Sequence, residues 1–242
     1  MVHGAPDNFQ VRPKNITHTL DDDAELAIRL GAISSIDRLG NVIFSDDFSN
    51  GIGSWLKTEL GIGADISIDG DIFKSGGFSC KITPRSDDPY LGSIYNQLHY
   101  PDVSKMGLEV NMSMDSYIDY ILITLILYDG SWLHYTAIKI DITNNKLQYL
   151  DSTQVYQDIV GSVSFPNVTS IFHNFKLKVD FVDDYYINLR YNSELYNLST
   201  LGMYTEAFVS HKHLRSQISV YSKAGENGNV YVDSIIVTRN EP

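Results

Sequence analysis

The sequence predicts an all-β fold in which two antiparallel sheets pack as a sandwich, preceded by an extended N-terminal arm with one short helix. Two observations predict it. Apolar and polar residues alternate with a period of two in many short segments after Val42, as in strands with one buried face. These segments are separated by short polar turns, which is typical of sandwiches and barrels. A chain of 242 residues is long enough for one large sandwich with a full core.

The N-terminal arm is predicted to comprise residues 1–41. A short helix is predicted at about residues 21–30, because aspartates that can cap its N-terminus stand at its start and Gly31 stands at its end. A helix of this size cannot hold itself in place and needs a surface to pack on. We therefore divide the chain into the arm and a β-sandwich at residues 42–242.

Strands are predicted through nearly all of the sandwich region. Leu108 and Val110 alternate with Glu109 and Asn111, which is the period of a strand with one buried face. The run Ile118–Tyr128 is almost continuously apolar, so it is predicted to be a central strand covered on both faces. The full set of predicted strands is 65–69, 78–83, 91–98, 107–114, 118–128, 132–142, 146–151, 175–182, 185–191, 216–222 and 229–238.

Three segments are informative in combination. The first is the acidic turn Asp46–Phe48, followed by Gly51 and Trp55. The second is the strand Gly76–Ile82, and the third is Val230–Asp233 near the end. Together they resemble the concanavalin A-like jelly rolls, a class that contains lectin domains and carbohydrate-binding modules. The resemblance implies a jelly-roll sandwich in which the first and last strands meet.

The whole chain, with its arm, is also similar to stand-alone jelly-roll proteins of bacterial and phage genomes. The segment Ala24–Gly31 resembles the helix that their arms carry. This resemblance implies a structural or binding protein that acts in an assembly, such as a capsid decoration or surface protein of a phage virion. The arm would then join the sandwich to its neighbours in a homo-oligomer or a larger protein assembly.

The resemblance also implies a structural calcium ion, while no other cofactor is required. In many carbohydrate-binding jelly rolls calcium ties the first strand to the last, through carboxylate and carbonyl oxygens. The matching positions here are Asp47, Asn50 and Asp233, although Ser49 stands where the class usually has a glutamate. The alternative is that Asp233 accepts backbone N–H groups of the opening turn and that no metal is bound.

A carbohydrate-binding module that recognises a glycan is the alternative function. Sugar binding needs exposed aromatic rings to stack on pyranose faces, and polar groups to bond the hydroxyls. Trp132, Tyr135, Tyr149 and Tyr156 are the candidate ligand-binding residues. A strand tyrosine is also typical of a core or its rim, so each of the four has a purely structural interpretation.

No enzymatic activity is predicted, and glycoside hydrolysis is the least favoured function. It needs two carboxylates that face one cleft. Hydrolases of this fold class carry Glu-x-Asp-x-x-Glu on one strand, whereas Glu109 and Asp115 here are six residues apart with no acid between them. Solvated strand faces and turn caps are the favoured interpretation of these acids.

The composition restricts the partners and the compartment. The net charge of −12 argues against binding to nucleic acid or to an anionic membrane surface. A single cysteine, Cys80, forbids an internal disulfide. The start of the chain lacks the basic and apolar regions of a signal peptide, and no apolar run approaches the ~20 residues of a membrane span. We therefore expect synthesis in the cytoplasm without membrane insertion, with the virion surface as a final location.

Overall fold

The computed structural model describes residues 40–58, 61–87 and 91–242, which form two antiparallel sheets packed face to face. This confirms the predicted fold class. The described residues contain strands and no helix, and the predicted arm and its helix lie outside them apart from residues 40 and 41. The strands are β1 Asn41–Asp46, β2 Leu56–Thr58, β3 Asp65–Asp69, β4 Ser79–Thr83, β5 Leu91–His99, β6 Lys105–Met114, β7 Ile118–Tyr128, β8 Trp132–Asp141, β9 Lys146–Leu150, β10 Tyr156–Val160, β11 His173–Asp180, β12 Tyr185–Tyr191, β13 Glu194–Asn197, β14 Tyr204–Ala207, β15 His213–Ser222 and β16 Val230–Arg239.

Each sheet has eight strands. Sheet 1 has the order β13-β12-β11-β6-β16-β4-β3, and β1 adds to β16 beside β4. Sheet 2 has the order β10-β9-β8-β7-β15-β5-β2, and β14 adds to β8. As predicted, the apolar run Ile118–Tyr128 is a central strand, bonded to β8 on one side and to β15 on the other.

The core lies between the two sheets and follows from the period-two alternation. In sheet 1, Leu108 and Val110 of β6 pair with Leu177 and Phe175 of β11, and all four side chains are buried. Burial of one such side chain stabilises the fold by about 1.5–3 kcal/mol. Ile121 of β7 is one of the buried residues of sheet 2 that complete the same cluster.

Tyr186 joins the two sheets through its hydroxyl group. It lies on β12 of sheet 1 with no exposed surface. Its Oη donates to the carbonyl oxygen of Leu150 at 2.9 Å and accepts from the amide of Ala137 at 3.1 Å, both in sheet 2. Burial raises the pKa of Tyr186, so the phenol stays protonated and keeps both bonds.

The opening turn closes the sandwich by bringing the first strand to the last. β1 pairs with β16 in antiparallel register, with Asp46 opposite Ile235. The Asp46 carboxylate accepts from the amide of Phe48 at 2.8 Å, from Ser54 Oγ at 2.9 Å and from Trp55 Nε1 at 2.8 Å. Phe48 and Trp55 are buried beneath it. The first and last strands of the sandwich are therefore neighbours, as predicted.

Several strands lack a sequence signal and were not among the predicted ones. These are β1, β2, β10, β13 and β14, which have three to six residues each and pair along one side with a single neighbouring strand. Such short segments show too few alternations to be recognised alone. β15 begins at His213, three residues before the predicted start. In the part of the chain that the structure describes, no helix is long and apolar enough to cross a membrane.

Candidate functional site

The outward face of sheet 2 carries a group of half-buried tyrosines. Ile121 of β7 and Ile218 of β15 are buried in the core, so alternate residues of these strands point outward. The register then places residues of neighbouring strands side by side on that face. We call the half-buried tyrosines that β5, β7, β8, β10 and β15 place on this side the tyrosine face, and they are Tyr95, Tyr120, Tyr128, Tyr135, Tyr156 and Tyr221.

Ring contacts hold several of these side chains in place. Tyr120 of β7 stacks on Tyr221 of β15, with ring centroids 4.2 Å apart and planes at 17°. Tyr128 stacks on His213 at 4.1 Å and 14° in the same pair of strands. Aromatic pairs of this kind stabilise each other by about 0.5–1.5 kcal/mol beyond the area they bury. The rings are therefore fixed before any ligand arrives.

Lys139 is one of two cations among these rings. Its Nζ lies 4.5 Å from the centroid of Tyr120 and 5.8 Å from that of Tyr156. It also lies 3.2 Å from the carboxylate of Asp141, two residues further along β8. The charge of Lys139 is therefore compensated within the protein.

Arg215 is the second cation, and its charge is not compensated in this way. Its guanidinium lies 3.9 Å from the centroid of Tyr95. On β15 it stands between Gln97 of β5 and Ile126 of β7. Its Nε is buried and has no hydrogen-bond partner. Among the described residues, no carboxylate forms an ion pair with Arg215.

Four of the tyrosine hydroxyl groups stay protonated because they are partly buried. Burial raises the pKa of Tyr120, Tyr135, Tyr156 and Tyr221 above the ordinary value of a phenol. Each can therefore donate one hydrogen bond and accept others near neutral pH. Gln217, in the centre of β15, adds an amide that donates to Ser219 Oγ at 2.7 Å. The face thus combines flat apolar rings with neutral hydrogen-bonding groups.

The structure places two of the four predicted ligand-binding residues on this face. Tyr135 and Tyr156 belong to it. Trp132 alternates to the other side of β8, near the end of the strand, and is 48% exposed. Tyr149 packs edge-on against Tyr186, with centroids 5.5 Å apart, and so points toward the core side. The predicted four are therefore not one cluster.

The remaining members of the face were not identified from the sequence. Tyr95, Tyr120 and Tyr221 stand at outward positions of predicted strands, so their alternation was a usable signal. What was missing is the register, because the sequence does not show that β7 and β15 are neighbours. Seven strands of the two sheets, β8 to β14, lie between them along the chain, and only the pairing of β7 with β15 brings Tyr120 next to Tyr221.

The predicted calcium ligands belong to the turn after β1 and to β16, the strand with which β1 pairs. Asp47 and Asn50 belong to the turn after β1, where Asp47 Oδ1 accepts from the amide and the hydroxyl of Ser49 at 3.1 and 2.6 Å. Asp233 is a fully buried bulge residue in β16. No group of three or more His, Cys, Asp or Glu side chains suited to a metal occurs in the described ranges. Calcium stays a prediction.

The Asp233 carboxylate accepts three hydrogen bonds from the loop between β3 and β4. The donors are the amide of Lys74 at 2.6 Å, the amide of Ser75 at 2.9 Å and the hydroxyl of Ser75 at 2.9 Å. Asp233 thus accepts backbone amides, as in the alternative interpretation of this residue, but the donors differ from the expected ones. The amides come from the β3–β4 loop and not from the opening turn.

The acids considered for hydrolysis do not lie on the tyrosine face. Glu109 is on β6 of sheet 1 and is 2% exposed. Asp115 follows that strand and accepts from the backbone and side-chain amides of Asn229 at 2.7 and 3.0 Å. The tyrosine face itself carries Asp141 and Asp158 of sheet 2. Asp141 accepts from Asn144, and Asp158 accepts from Lys146 and Gln148.

Comparison with known proteins shows the fold class. No protein-family model matches the sequence, and no curated protein matches it. Three solved structures illustrate the likeness. The cellulose-induced protein Cip1 has 16% identity and a TM-score of 0.56, over 81% of this chain and 96% of that one. A carbohydrate esterase of the Shiga toxin-encoding bacteriophage phi24B has 11% identity and a TM-score of 0.52, over 84% and 100%. The carbohydrate recognition domain of Emp47p has 14% identity and a TM-score of 0.51, over 85% and 99%.

At these identities the likeness shows the fold alone. The chain has the concanavalin A-like jelly-roll fold, which confirms the resemblance seen in the sequence. Chains with this fold include a glucanase from Bacillus licheniformis and a lyase from Trichoderma reesei as well as a carbohydrate recognition domain. The fold is therefore compatible with both binding and catalysis.

Proposed function

We propose that this concanavalin A-like jelly roll binds a glycan on its tyrosine face without cleaving it. The observation that carries the proposal is the set of six half-buried tyrosines across β5, β7, β8, β10 and β15. Phenol rings stack on the apolar faces of sugars, and their hydroxyls bond the equatorial hydroxyl groups. The carbohydrate recognition domain of Emp47p shares the fold, which supports a binding role.

The stacked rings favour binding because their side chains are already held in place before a ligand binds. Tyr120 and Tyr221 already hold each other, and Lys139 lies over Tyr120. Immobilising a free side chain at an interface costs about 0.5–1.5 kcal/mol, and this cost is largely absent here. The strands beneath the rings are continuous with the core, so the spacing of the rings is set by the sheet.

A binding role without cleavage fits the state of the acids on the face. Hydrolysis requires one carboxyl group to act as an acid and a second to act as nucleophile or base. Asp141 is bonded to Asn144 and lies beside Lys139, which hold its pKa below the usual range against the opposing effect of burial. The side chain of Lys146 lowers the pKa of Asp158. Asp141 and Asp158 therefore favour the ionised form, which is unsuited to the role of proton donor.

Glycan-array binding followed by affinity electrophoresis tests this proposal. We expect wild type to bind at least one polysaccharide, and Tyr120→Ala or Tyr221→Ala to weaken that binding about tenfold, the cost of losing one central aromatic contact. Tyr185→Ala is the matched control, because Tyr185 is 46% exposed on β12 of sheet 1. No binding by wild type, or equal losses in all three variants, would contradict the proposal. Release of reducing ends from the bound glycan would contradict the absence of cleavage.

The role in an assembly is a separate proposal. It holds that the protein decorates a phage capsid or another virion surface and joins its neighbours through residues 1–41. What supports it is the arm predicted from the sequence, together with the phage origin of the phi24B esterase, which shares the fold. Multi-angle light scattering of the full chain and of a variant lacking residues 1–39 tests it. An oligomer is expected only for the full chain. Monomers of both proteins would contradict the proposal.

A further inference from the structure

Arg215 is an uncompensated cation in a strongly acidic protein. The chain has 30 acidic and 18 basic residues, yet no described carboxylate pairs with this guanidinium. Its Nε is buried without an acceptor. A buried donor left without a partner costs about 1–3 kcal/mol, and more when it is charged. Arg190 and Arg239 in sheet 1 share this feature, so the buried Nε points to a ligand only in combination with the tyrosine face around Arg215.

The geometry leaves the terminal Nη donors of Arg215 available, because Nε is the nitrogen of this guanidinium that is buried without a partner. The guanidinium stacks on Tyr95 at 3.9 Å, which uses the flat face of the group. The N–H bonds lie in the plane of the guanidinium, so stacking does not consume them. A planar fork of N–H donors matches the two oxygens of a carboxylate, and such pairs are among the strongest hydrogen bonds in proteins.

The surroundings of Arg215 select the kind of ligand. It lies in one row of sheet 2 with Ile126 and Tyr135, within the tyrosine face, and its strand is flanked by β5 and β7. The other cation, Lys139, already has Asp141 as its partner. A neutral sugar stacked on the rings would cover Arg215 and leave the guanidinium without an anion. A sugar that carries a carboxylate supplies the missing acceptor in the same position.

We propose that the glycan bound by the tyrosine face is acidic, and that Arg215 binds the carboxylate of one of its uronic acid residues. This inference rests on the proposed function, since it names the substrate class of the same face. It also explains why an acidic protein keeps an unpaired arginine there. Repulsion from the net charge of −12 sets a penalty that the local contact must exceed.

Binding to uronans and their carboxyl-reduced forms tests the inference, because reduction removes the charge and keeps the sugar chain. The probes are polyglucuronate, polygalacturonate and alginate, each with its reduced counterpart. We expect at least one uronan to bind wild type about tenfold more tightly than its reduced form, with a preference that weakens as salt rises. Arg215→Gln should bring the two forms within about twofold while binding to the reduced form persists.

Two further variants separate recognition from folding. Arg215→Lys keeps the charge and loses the planar fork, so an intermediate preference is expected even if Arg215→Gln is unstable. Arg190→Gln is the matched control, since Arg190 also has a buried unpaired Nε but lies on β12 of sheet 1. The control should keep the full preference.

The outcomes distinguish the two proposals. If wild type binds no glycan, the proposed function fails and the inference fails with it. If wild type binds charged and reduced forms equally, glycan binding stands and the assignment of Arg215 is overturned. Equal loss of both forms in the Arg215 variants, or loss of the preference in Arg190→Gln, would also overturn it.

Discussion

At the scale of single residues, two adjacent aspartates in the opening turn have different roles. Asp46 accepts bonds from Phe48, Ser54 and Trp55, and so ties the turn to a buried indole. Among the described residues, Asp47 accepts only from its near neighbour Ser49. The sequence predicts a role for Asp47, because it matches a calcium-ligand position of carbohydrate-binding jelly rolls. The contacts that close the turn belong instead to its neighbour.

Substitution of these two residues gives a direct comparison. We expect Asp46→Ala to lower the free energy of unfolding by about 2–3 kcal/mol, because the buried indole N–H of Trp55 loses its acceptor. Asp47→Ala, the control, should cost less than about 1 kcal/mol in the presence of EDTA. Urea denaturation followed by Trp fluorescence measures both. Equal losses would show that Asp46 does not close the turn.

At the scale of elements, the bulge at Asp233 lies where β16 changes partners. Residues Val230 to Val232 pair with β4, whereas Ile235 to Arg239 pair with β1. The bulge falls between them, and its carboxylate binds the loop that leads into β4. Asp233 thus anchors the loop before β4 at the point where β16 changes its neighbour from β4 to β1.

Removal of the Asp233 side chain should loosen that region. Asp233→Ala leaves the amides of Lys74 and Ser75 without an acceptor, and we expect a loss of about 2–3 kcal/mol in the free energy of unfolding. Asp69→Ala is the control, because Asp69 bonds the amides of Asp71 and Ile72 in the same loop but water can replace it. A loss no larger than that of the control would contradict the role of Asp233.

The calcium hypothesis makes its own prediction at this scale. An ion held by Asp47, Asn50 and Asp233 would bind only the folded protein, so the melting temperature should rise with calcium concentration. Differential scanning calorimetry in calcium and in EDTA measures the shift, and Asp47→Ala should abolish it. Identical melting temperatures in the two buffers would exclude a stabilising ion.

The elements also show which features a sequence can reveal. The alternation in β6 and β11 identifies both strands and their buried faces, because the period of a strand is local. The short strand β14 is recognisable only through its pairing with β8. The tyrosine face has the same origin, since Tyr120 and Tyr221 are remote in sequence. The sequence identifies single aromatic residues that can bind a sugar. It does not show which of them lie side by side, because that depends on strand pairing.

At the scale of the whole molecule, buried His173 links stability to pH. It is 1% exposed, its Nε2 lies 2.9 Å from the carbonyl oxygen of Pro166, and its Nδ1 lies 3.0 Å from the hydroxyl of Tyr191. Burial lowers the pKa of His173 below its ordinary value of 6.5. Just below its ordinary pKa, His173 is therefore protonated in the unfolded chain and still neutral in the folded protein. The contribution of neutral His173 to the free energy of unfolding is complete above the pKa of the unfolded chain, and it is lost as the pH falls below that pKa.

We expect the free energy of unfolding to decrease between pH 7 and pH 5, with a slope from this one group of at most about 1.4 kcal/mol per pH unit. His173→Gln should flatten the profile, whatever its effect at neutral pH. His99→Gln is the control, because His99 is exposed at the end of β5. Parallel profiles for wild type and His173→Gln would contradict the assignment.

The pairing of β1 with β16 also fixes how the molecule can be attached to a support. The last strand belongs to sheet 1, whereas the tyrosine face is the outward surface of sheet 2. A linker fused after Pro242 would therefore leave the molecule from the sheet that lies behind the rings. Sensor chips and beads coated in this orientation would present the rings to the solution, with the core and sheet 1 between them and the support.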